Sequence, residues 1–421
     1  SKTAKSLGHF YKTGANAVVP VQRQIPARLL ENKVKNVSRM HYQVANLEVA
    51  NFNSDRDVMP LLIDEDGFAC EDLAALQQWI VSTFTELCQM PEFEISGLVS
   101  RGDSKLRLQE KLGSHYPLFE DFETALAESQ SDAVCISTYP DTHEDFACKA
   151  MQAGCHVFLE KPLAYSISGA ERILAIAKET AKKVVVGYIL RHHPSWIRFI
   201  EEAQKLGKPL VMRMNLNQQS QGYMWEVHRN LMKTLSPIVD CGVHYIDVMC
   251  QMTRSKPVWV SAIGARLSEE VAADNYNYGQ LQIRFEDGSV GWYEAGWGPM
   301  ISETAFFIKD VMGPKGAVSI VAKTAGAAGQ SDQIDAHTKT ESILVHHADL
   351  NEKQLFVKKD EWIDLKDEPN HQELCNREQL YFLQAMRNNM DLTEHLEDAL
   401  NSLKIAFACD ESVKTGKGVA L

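Results

Sequence analysis

Nowhere does this chain hold an apolar run of the roughly eighteen residues that a membrane-spanning helix needs, and its first residues lack the apolar core of a secretory leader. The expected location is therefore the cytoplasm. The nine cysteines show no C-x-x-C pairing, and several sit inside apolar runs such as Ala133-Val-Cys-Ile136. That pattern excludes a disulfide frame or zinc site and predicts buried, reduced thiols with no metal centre. Positive charge is also short: 43 Lys and Arg against 56 acids leave a net charge of -13, which argues against a nucleic-acid-binding surface over the body of the protein. No internal repeat is present, and no G-x-G-x-x-G occurs anywhere. A backbone cradle for a diphosphate of that familiar kind is thus missing.

What is present is the composition of a soluble globular protein, 45% apolar and 24% charged, over 421 residues. That length predicts two domains, each able to bury a core unaided. Residues 1–40 depart from the acidic balance, with eight Lys or Arg against the single acid Glu31. This basic arm reads as solvated or as packing on an acidic neighbouring subunit, with a phosphate or nucleic-acid role as the lesser alternative. We set residues 1–57 apart as a basic N-terminal extension.

From 58 to 190, short β-rich runs alternate with amphipathic stretches, the signature of βαβ units and a parallel sheet. Strands are predicted over 58–63, 93–100, 133–137, 156–159 and 183–188, and helices over 70–89, 106–112, 121–129, 144–153 and 167–181. After Pro194 the strands lengthen and tight turns join them, such as Glu286-Asp-Gly-Ser289 and Gly313-Pro-Lys-Gly316. Strands over 210–218, 258–267, 278–285, 290–296, 305–311 and 317–322 would build one open sheet. Helices over 377–388 and 396–415 close the chain, and 324–330 reads as a loop. The fold class is thus an α/β Rossmann-like domain followed by an α+β domain, 191–421, with a large, open, mainly antiparallel sheet.

Two motifs carry chemistry. The apolar run from Cys155 to Leu159 leads directly into Glu160-Lys161-Pro162, which places a lysine at a strand's carboxyl end, the edge where open α/β sheets bind ligands. About eighty residues later, Asp240-Cys-Gly-Val-His-Tyr-Ile-Asp247 sets Asp240, His244 and Asp247 on one face if the run is helical. Together they resemble the Gfo/Idh/MocA family, whose signatures are E-K-P and D-x-G-x-H-x-x-D, with the match running from about Asp57 to Leu421. The resemblance implies Lys161, His244 and Asp240 at a reacting centre: Lys161 contacting nicotinamide ribose and substrate hydroxyl, His244 accepting the proton, Asp240 orienting it or binding a neighbouring hydroxyl. Asp247 would equally cap or pair with a neighbour. An oligomer built through the C-terminal sheet is also implied.

The cofactor expected is NADP or NAD. Ser100 and Arg101 follow a strand where an acid would bind a ribose 2′-hydroxyl, and Ser plus Arg suits a 2′-phosphate, which favours NADP. Thr138-Tyr139-Pro140-Asp141-Thr142-His143 resembles the family's T-P-[PN]-x-x-H loop along the nicotinamide, with Tyr139 in place of the usual proline. Glu160 and Lys161 join this cofactor set. Val186-Gly-Tyr-Ile-Leu-Arg191-His-His-Pro194 resembles G-y-x-x-R-x-x-P, with Arg191 reaching the nicotinamide end or a polar substrate. Tyr223, Trp225 and His228 offer aromatic and polar groups suited to a sugar ring, and Trp292 and Trp297 either line a cleft or pack in the sheet. In the slot of the glycine-rich loop stands Ile63-Asp-Glu-Asp-Gly-Phe-Ala-Cys70.

The expected function is hydride exchange between a nicotinamide cofactor and a carbinol of a sugar, polyol or sugar derivative. Two alternatives stand beside it: a redox-neutral glycosidase or lyase that retains its cofactor, and a cofactor-free binding or regulatory homologue.

Overall fold

A computed structural model describes residues 92–100, 106, 109–110, 116–302, 307–321, 331–332, 337–365 and 367–421, with the backbone of 60–64. The basic arm, the expected helix over 70–89, most of that over 106–112, the loop 324–330, and Glu65, Asp66 and Arg101 lie outside these residues.

Six strands form the first sheet: β1 (Pro60–Asp64), β2 (Gly97–Val99), β3 (Leu118–Phe119), β4 (Ala133–Ser137), β5 (His156–Leu159) and β6 (Val184–Val186). Their order is β3-β2-β1-β4-β5-β6 and every pairing is parallel. Burial on both faces explains why β4 reads as an unbroken run, Ala-Val-Cys-Ile-Ser, with every residue buried. The crossovers carry helices α1 (Phe122–Ser129), α2 (Pro140–Gln152) and α3 (Ile167–Thr180). Side chains start two of them: Asp121 accepts from the Thr124 amide, and Ser166 from the Gly169 amide.

The second sheet has nine strands in the order β14-β13-β12-β11-β7-β10-β9-β8-β15. They are β7 (Val211–Gln219), β8 (Pro257–Ala265), β9 (Tyr278–Phe285), β10 (Val290–Gly298), β11 (Lys309–Gly313), β12 (Gly316–Val321), β13 (Ser342–His347), β14 (Glu361–Asp364) and β15 (Val419–Ala420). All pairings are antiparallel except β7 with β10. One face is covered by α4 (Pro194–Lys205), α6 (Val243–Thr253) and α8 (Thr393–Thr415). The opposite face keeps Arg213, Asp310, Gln282, Trp292 and Glu294 at least partly in solvent, while Gly279, Leu281, Ile283 and Phe285 of β9 point under the helices.

Two remaining helices differ from expectation. Gly222–Leu231 is helical (α5), an element absent from the predicted set, because Trp225, Val227 and His228 find burial on one side. α7 (His371–Arg387) lies on the six-stranded sheet, with Phe382 against Phe158 at 6.0 Å between ring centroids. The last helix also reaches that sheet, where His395 Nε2 accepts from the Val186 amide at 2.9 Å. All seven described cysteines are free and buried. Among the described residues no helix is long and apolar enough to cross a membrane.

Candidate active site

The site grows from the carboxyl edge of the parallel sheet. Where β5 ends, the Glu160 amide donates to Ile136 O of β4 at 3.0 Å, and the Gly187 amide donates to Leu159 O at 2.9 Å. The Glu160 carboxylate therefore lies over Gly187, where an added Cβ would stand 3.1 Å from Oε2 and the carboxylate would have to give by a few tenths of an ångström. The next peptide, Lys161-Pro162, is cis.

After β4, Tyr139 is extended and Pro140 takes the first position of α2, where its missing N–H is no loss. His143 is fully buried in that first turn, with Nδ1 2.9 Å from Pro162 O and Nε2 3.0 Å from Thr138 O. Burial pushes its pKa down to about 4, against the pull of the two carbonyls. His143 thus ties the Thr138 loop to the Glu160-Lys161-Pro162 loop, and both ring nitrogens are engaged by backbone. Thr138 and Thr142 hydroxyls pair at 2.6 Å and add to the same turn.

Across from this edge, residues 238–242 form a π-helical turn that runs into α6. A π-turn widens the helix by one residue, so Asp240 and His244 do not simply stack one α-turn apart. Lys161 Nζ reaches both groups that Asp240 offers, Oδ1 at 2.8 Å and the main-chain O at 3.2 Å, with side chains only 10% and 19% exposed. Burial works against the ammonium, but the Asp240 carboxylate and then Glu160 outweigh it, so Lys161 is held above its ordinary range and stays charged.

His244 stands beside this pair, edge-on to Tyr188 at 5.6 Å, with Nδ1 buried and without a hydrogen-bond partner. Burial, then the charges of Lys161 and His371, drive its pKa well below the usual value, which leaves a neutral imidazole able to accept a proton. His228 belongs to the same neighbourhood: its ring stacks on Trp297 at 4.4 Å and 8°, Nδ1 lacks a partner, and its charge would be felt by Asp240 and Lys161. Burial brings it down to about 4.

Other expected site residues fall elsewhere. Arg191 is buried and engaged by the protein, with Nε 2.8 Å from Asp247 Oδ2, a second nitrogen on Asp247 Oδ1 and a third 2.8 Å from His395 Nδ1. The Trp225 indole donates to Glu270, on the rim of a charged cleft of about 580 Å³ whose lining includes none of Lys161, Asp240 or His244. Tyr223 is half-buried in the first turn of α5, and Ser100 is buried just past β2. Sequence reasoning assigned no role to Tyr188 or to the buried polar residues of α7, while Trp297, for which a cleft or a packed position stood open, is buried under the His228 ring. Only the pattern His371-x6-Glu378-Gln379 in an otherwise apolar stripe hinted at the α7 residues.

This arrangement, a charged lysine on a carboxylate beside a neutral imidazole at the edge of a parallel sheet, meets a direct match in sequence. A profile described as "Oxidoreductase family, NAD-binding Rossmann fold" matches residues 80–188, and its companion, "Oxidoreductase family, C-terminal alpha/beta domain", matches residues 201–421. The chain belongs to the Gfo/Idh/MocA family. As a Gfo/Idh/MocA protein its six-stranded domain is an NAD-binding Rossmann fold. That match begins only at residue 80, beyond β1 and the acidic segment after it.

Among characterised relatives, inositol 2-dehydrogenase of Paracoccus denitrificans is 29% identical over 139 residues, 31% of this chain and 38% of that protein. UDP-N-acetylglucosamine 3-dehydrogenase of Acidithiobacillus ferrooxidans is 31% identical over 146 residues, 35% and 43% of the two. The chain thus spans about two fifths of the length of these relatives. In three dimensions, the aldose-aldose oxidoreductase of Caulobacter crescentus superposes with a TM-score of 0.66 at 19% identity, over 87% of this chain and 100% of that one. Scyllo-inositol dehydrogenase of Lactobacillus casei, solved with NAD(H) and scyllo-inositol, gives 0.65 at 19%, over 87% and 99%. At that identity these likenesses speak to fold.

Proposed function

We propose that this protein is a nicotinamide-dependent dehydrogenase that exchanges hydride with a ring or chain carbinol of a polyol or sugar derivative, the inositols and nucleotide-linked sugars of its relatives being the first candidates. The observation that carries this reading is the Lys161–Asp240 pair next to the neutral His244, whose Nδ1 has no hydrogen-bond partner. A bound nicotinamide would supply the hydride acceptor or donor. The chain supplies the rest: Lys161 holds the substrate oxygen and favours its negative charge, Asp240 fixes Lys161, and His244 takes or returns the hydroxyl proton. His228, stacked on Trp297, and Tyr223 would bind neighbouring hydroxyls, while Trp225 and Arg191 have no such role.

Along this edge the residues fit a dinucleotide: Ser100 past β2 would stand at the adenosine ribose, and Thr138, Tyr139, Pro140, Glu160 and Lys161 past β4 and β5 at the nicotinamide end, on loops that His143 ties together. Arg101 would add the charge for a 2′-phosphate. The first crossover does not fit, since β1 runs into Asp64-Glu65-Asp66 with the single glycine Gly67. Each carboxylate there would oppose a diphosphate by on the order of 1 kcal/mol in water. This observation favours a second reading, a cofactor-free regulatory homologue.

Isothermal titration with NADP and NAD decides between them, followed by nicotinamide absorbance with inositols and UDP-N-acetylglucosamine. Binding with reduction supports the dehydrogenase. Nucleotide that survives desalting without net absorbance change marks a redox-neutral enzyme, and no binding by either nucleotide sinks both. The open face of the nine-stranded sheet, with its exposed Ile263 and half-exposed Val211, Val290 and Met312, is the surface through which copies of the chain would associate.

A further inference from the structure

Helix α7 carries a buried stripe that changes character along its length. Toward the C-terminus it is apolar, with Phe382, Leu383, Ala385 and Met386, but toward the N-terminus His371, Glu378 and Gln379 are buried beside Leu374 and Cys375. Glu378 is 1% exposed and its Oε1 has no hydrogen-bond partner; Gln379 is fully buried with neither amide atom partnered.

The polar half is aligned with the end of β5. Phe158 and Glu160 lie two residues apart and so point to one face of the sheet. A Cβ on Gly187 would meet both, Glu160 Oε2 at 3.1 Å and the Phe158 ring at 3.5 Å. Glu378 and Phe382 are one helical turn apart, on one face of α7. Met390 O, just past α7, accepts from Lys183 just before β6, so α7 runs antiparallel to these strands. Four helical residues advance about 6 Å and two strand residues about 6.6 Å, and the Phe382–Phe158 contact at 6.0 Å sets Glu378 over Glu160.

Among the described residues, the cationic groups on the elements packed around Glu378 are engaged elsewhere or neutral. Arg377 on its own helix is bonded to Asp367 and Glu373, Arg191 on the neighbouring turn is taken by Asp247 and His395, and His192, whose ring lies 5.1 Å from that of Tyr381, is pushed down to about 3 by burial and stays neutral. An ionised Glu378 would be a buried negative charge beside that of the half-buried Glu160, which burial and then Glu160's charge both disfavour.

We propose that Glu378 is a positioning residue for the reaction assigned above: a carboxylic acid kept neutral over Glu160, so that the end of β5 presents one negative charge, not two, next to Lys161. Its proton is shared toward Glu160 and fixes that carboxylate, and Lys161 is left on Asp240. The inference rests on the dehydrogenase reading only for its functional half.

Infrared spectra of the full chain without nucleotide, taken from about pH 5 to 9, are expected to show the carbonyl stretch of a protonated, buried carboxylic acid, absent from Glu378→Gln. No such band in the wild type, or one that survives Glu378→Gln, overturns the proposal. In steady-state kinetics Glu378→Leu is expected to raise KM for NAD(P) about tenfold with a smaller change in kcat, and Glu378→Gln, which retains a donor of the same shape, to restore most of it. Unchanged KM in Glu378→Leu overturns the positioning role. A wild type that shows the band yet binds neither nucleotide sinks the dehydrogenase reading, and the positioning role with it, while the buried acid stands.

Discussion

Two ion pairs run from the parallel-sheet domain to the same helical stretch, and they are built for different ends. Lys161 meets Asp240 in the π-turn at 238–242, whereas Arg191 meets Asp247 two turns further along, in α6. The second pair is sealed: side chains are 7% and 1% exposed, Asp247 also accepts from Gln251 at 2.8 Å, and His395 closes the far side of the guanidinium. The first pair is left partly open, uses a single ammonium contact on each Asp240 oxygen, and stands next to imidazole nitrogens with nothing to bind. A buried pair whose every lone pair is answered holds domains together; one with unanswered neighbours is poised to meet a third molecule.

The contrast breaks most sharply at Lys161. Lys161→Met is expected to lower kcat/KM by about 10²–10⁴-fold with the circular dichroism spectrum and melting temperature close to wild type; a variant that keeps its activity would remove Lys161 from the reacting centre. Arg191→Met should do the reverse. Removing one partner strands Asp247 in the interior at about 3–5 kcal/mol, seen as a lowered denaturant midpoint, and Arg191→Met with Asp247→Leu should recover much of that loss.

His244→Gln comes next, with about a hundredfold loss of kcat and little change in melting temperature, because Nδ1 gives up no protein hydrogen bond. The smallest effect is on the pH profile. With the folded-state pKa of His244 depressed, the neutral imidazole persists as pH falls through the ordinary value of 6.5. Lys161, shifted upward, keeps its proton well above neutrality. Wild-type kcat/KM should therefore stay flat from about pH 8 to below 6, without the acid limb of an ordinary histidine. A drop centred near 6.5 would mean that His244 is solvated.

Much of this could be read from the residues, for identifiable reasons. Strands 133–137, 156–159 and 278–285 stand where they were expected, because continuous apolar runs and strict alternation record burial on two faces or one. The weaker strands 342–347 and 361–364 and the helix 222–231 went unread, since their patterns are short or polar and their burial comes from partners distant in the chain. The partners of Arg191 were illegible for a related reason: an arginine in a junction motif announces a charge but not what answers it, and Asp247 and His395 lie 56 and 204 residues away.

By itself the sequence determined the fold class, the two motifs and their order, because local periodicity and a lysine after an apolar strand are properties of neighbouring residues. Which carboxylate meets which cation was settled only in three dimensions, by the π-turn that brings Asp240 to Lys161 and by α7, which folds back over the first sheet and lays Glu378 above Glu160. Such pairings depend on the paths of segments far apart in the chain, and no local pattern encodes them.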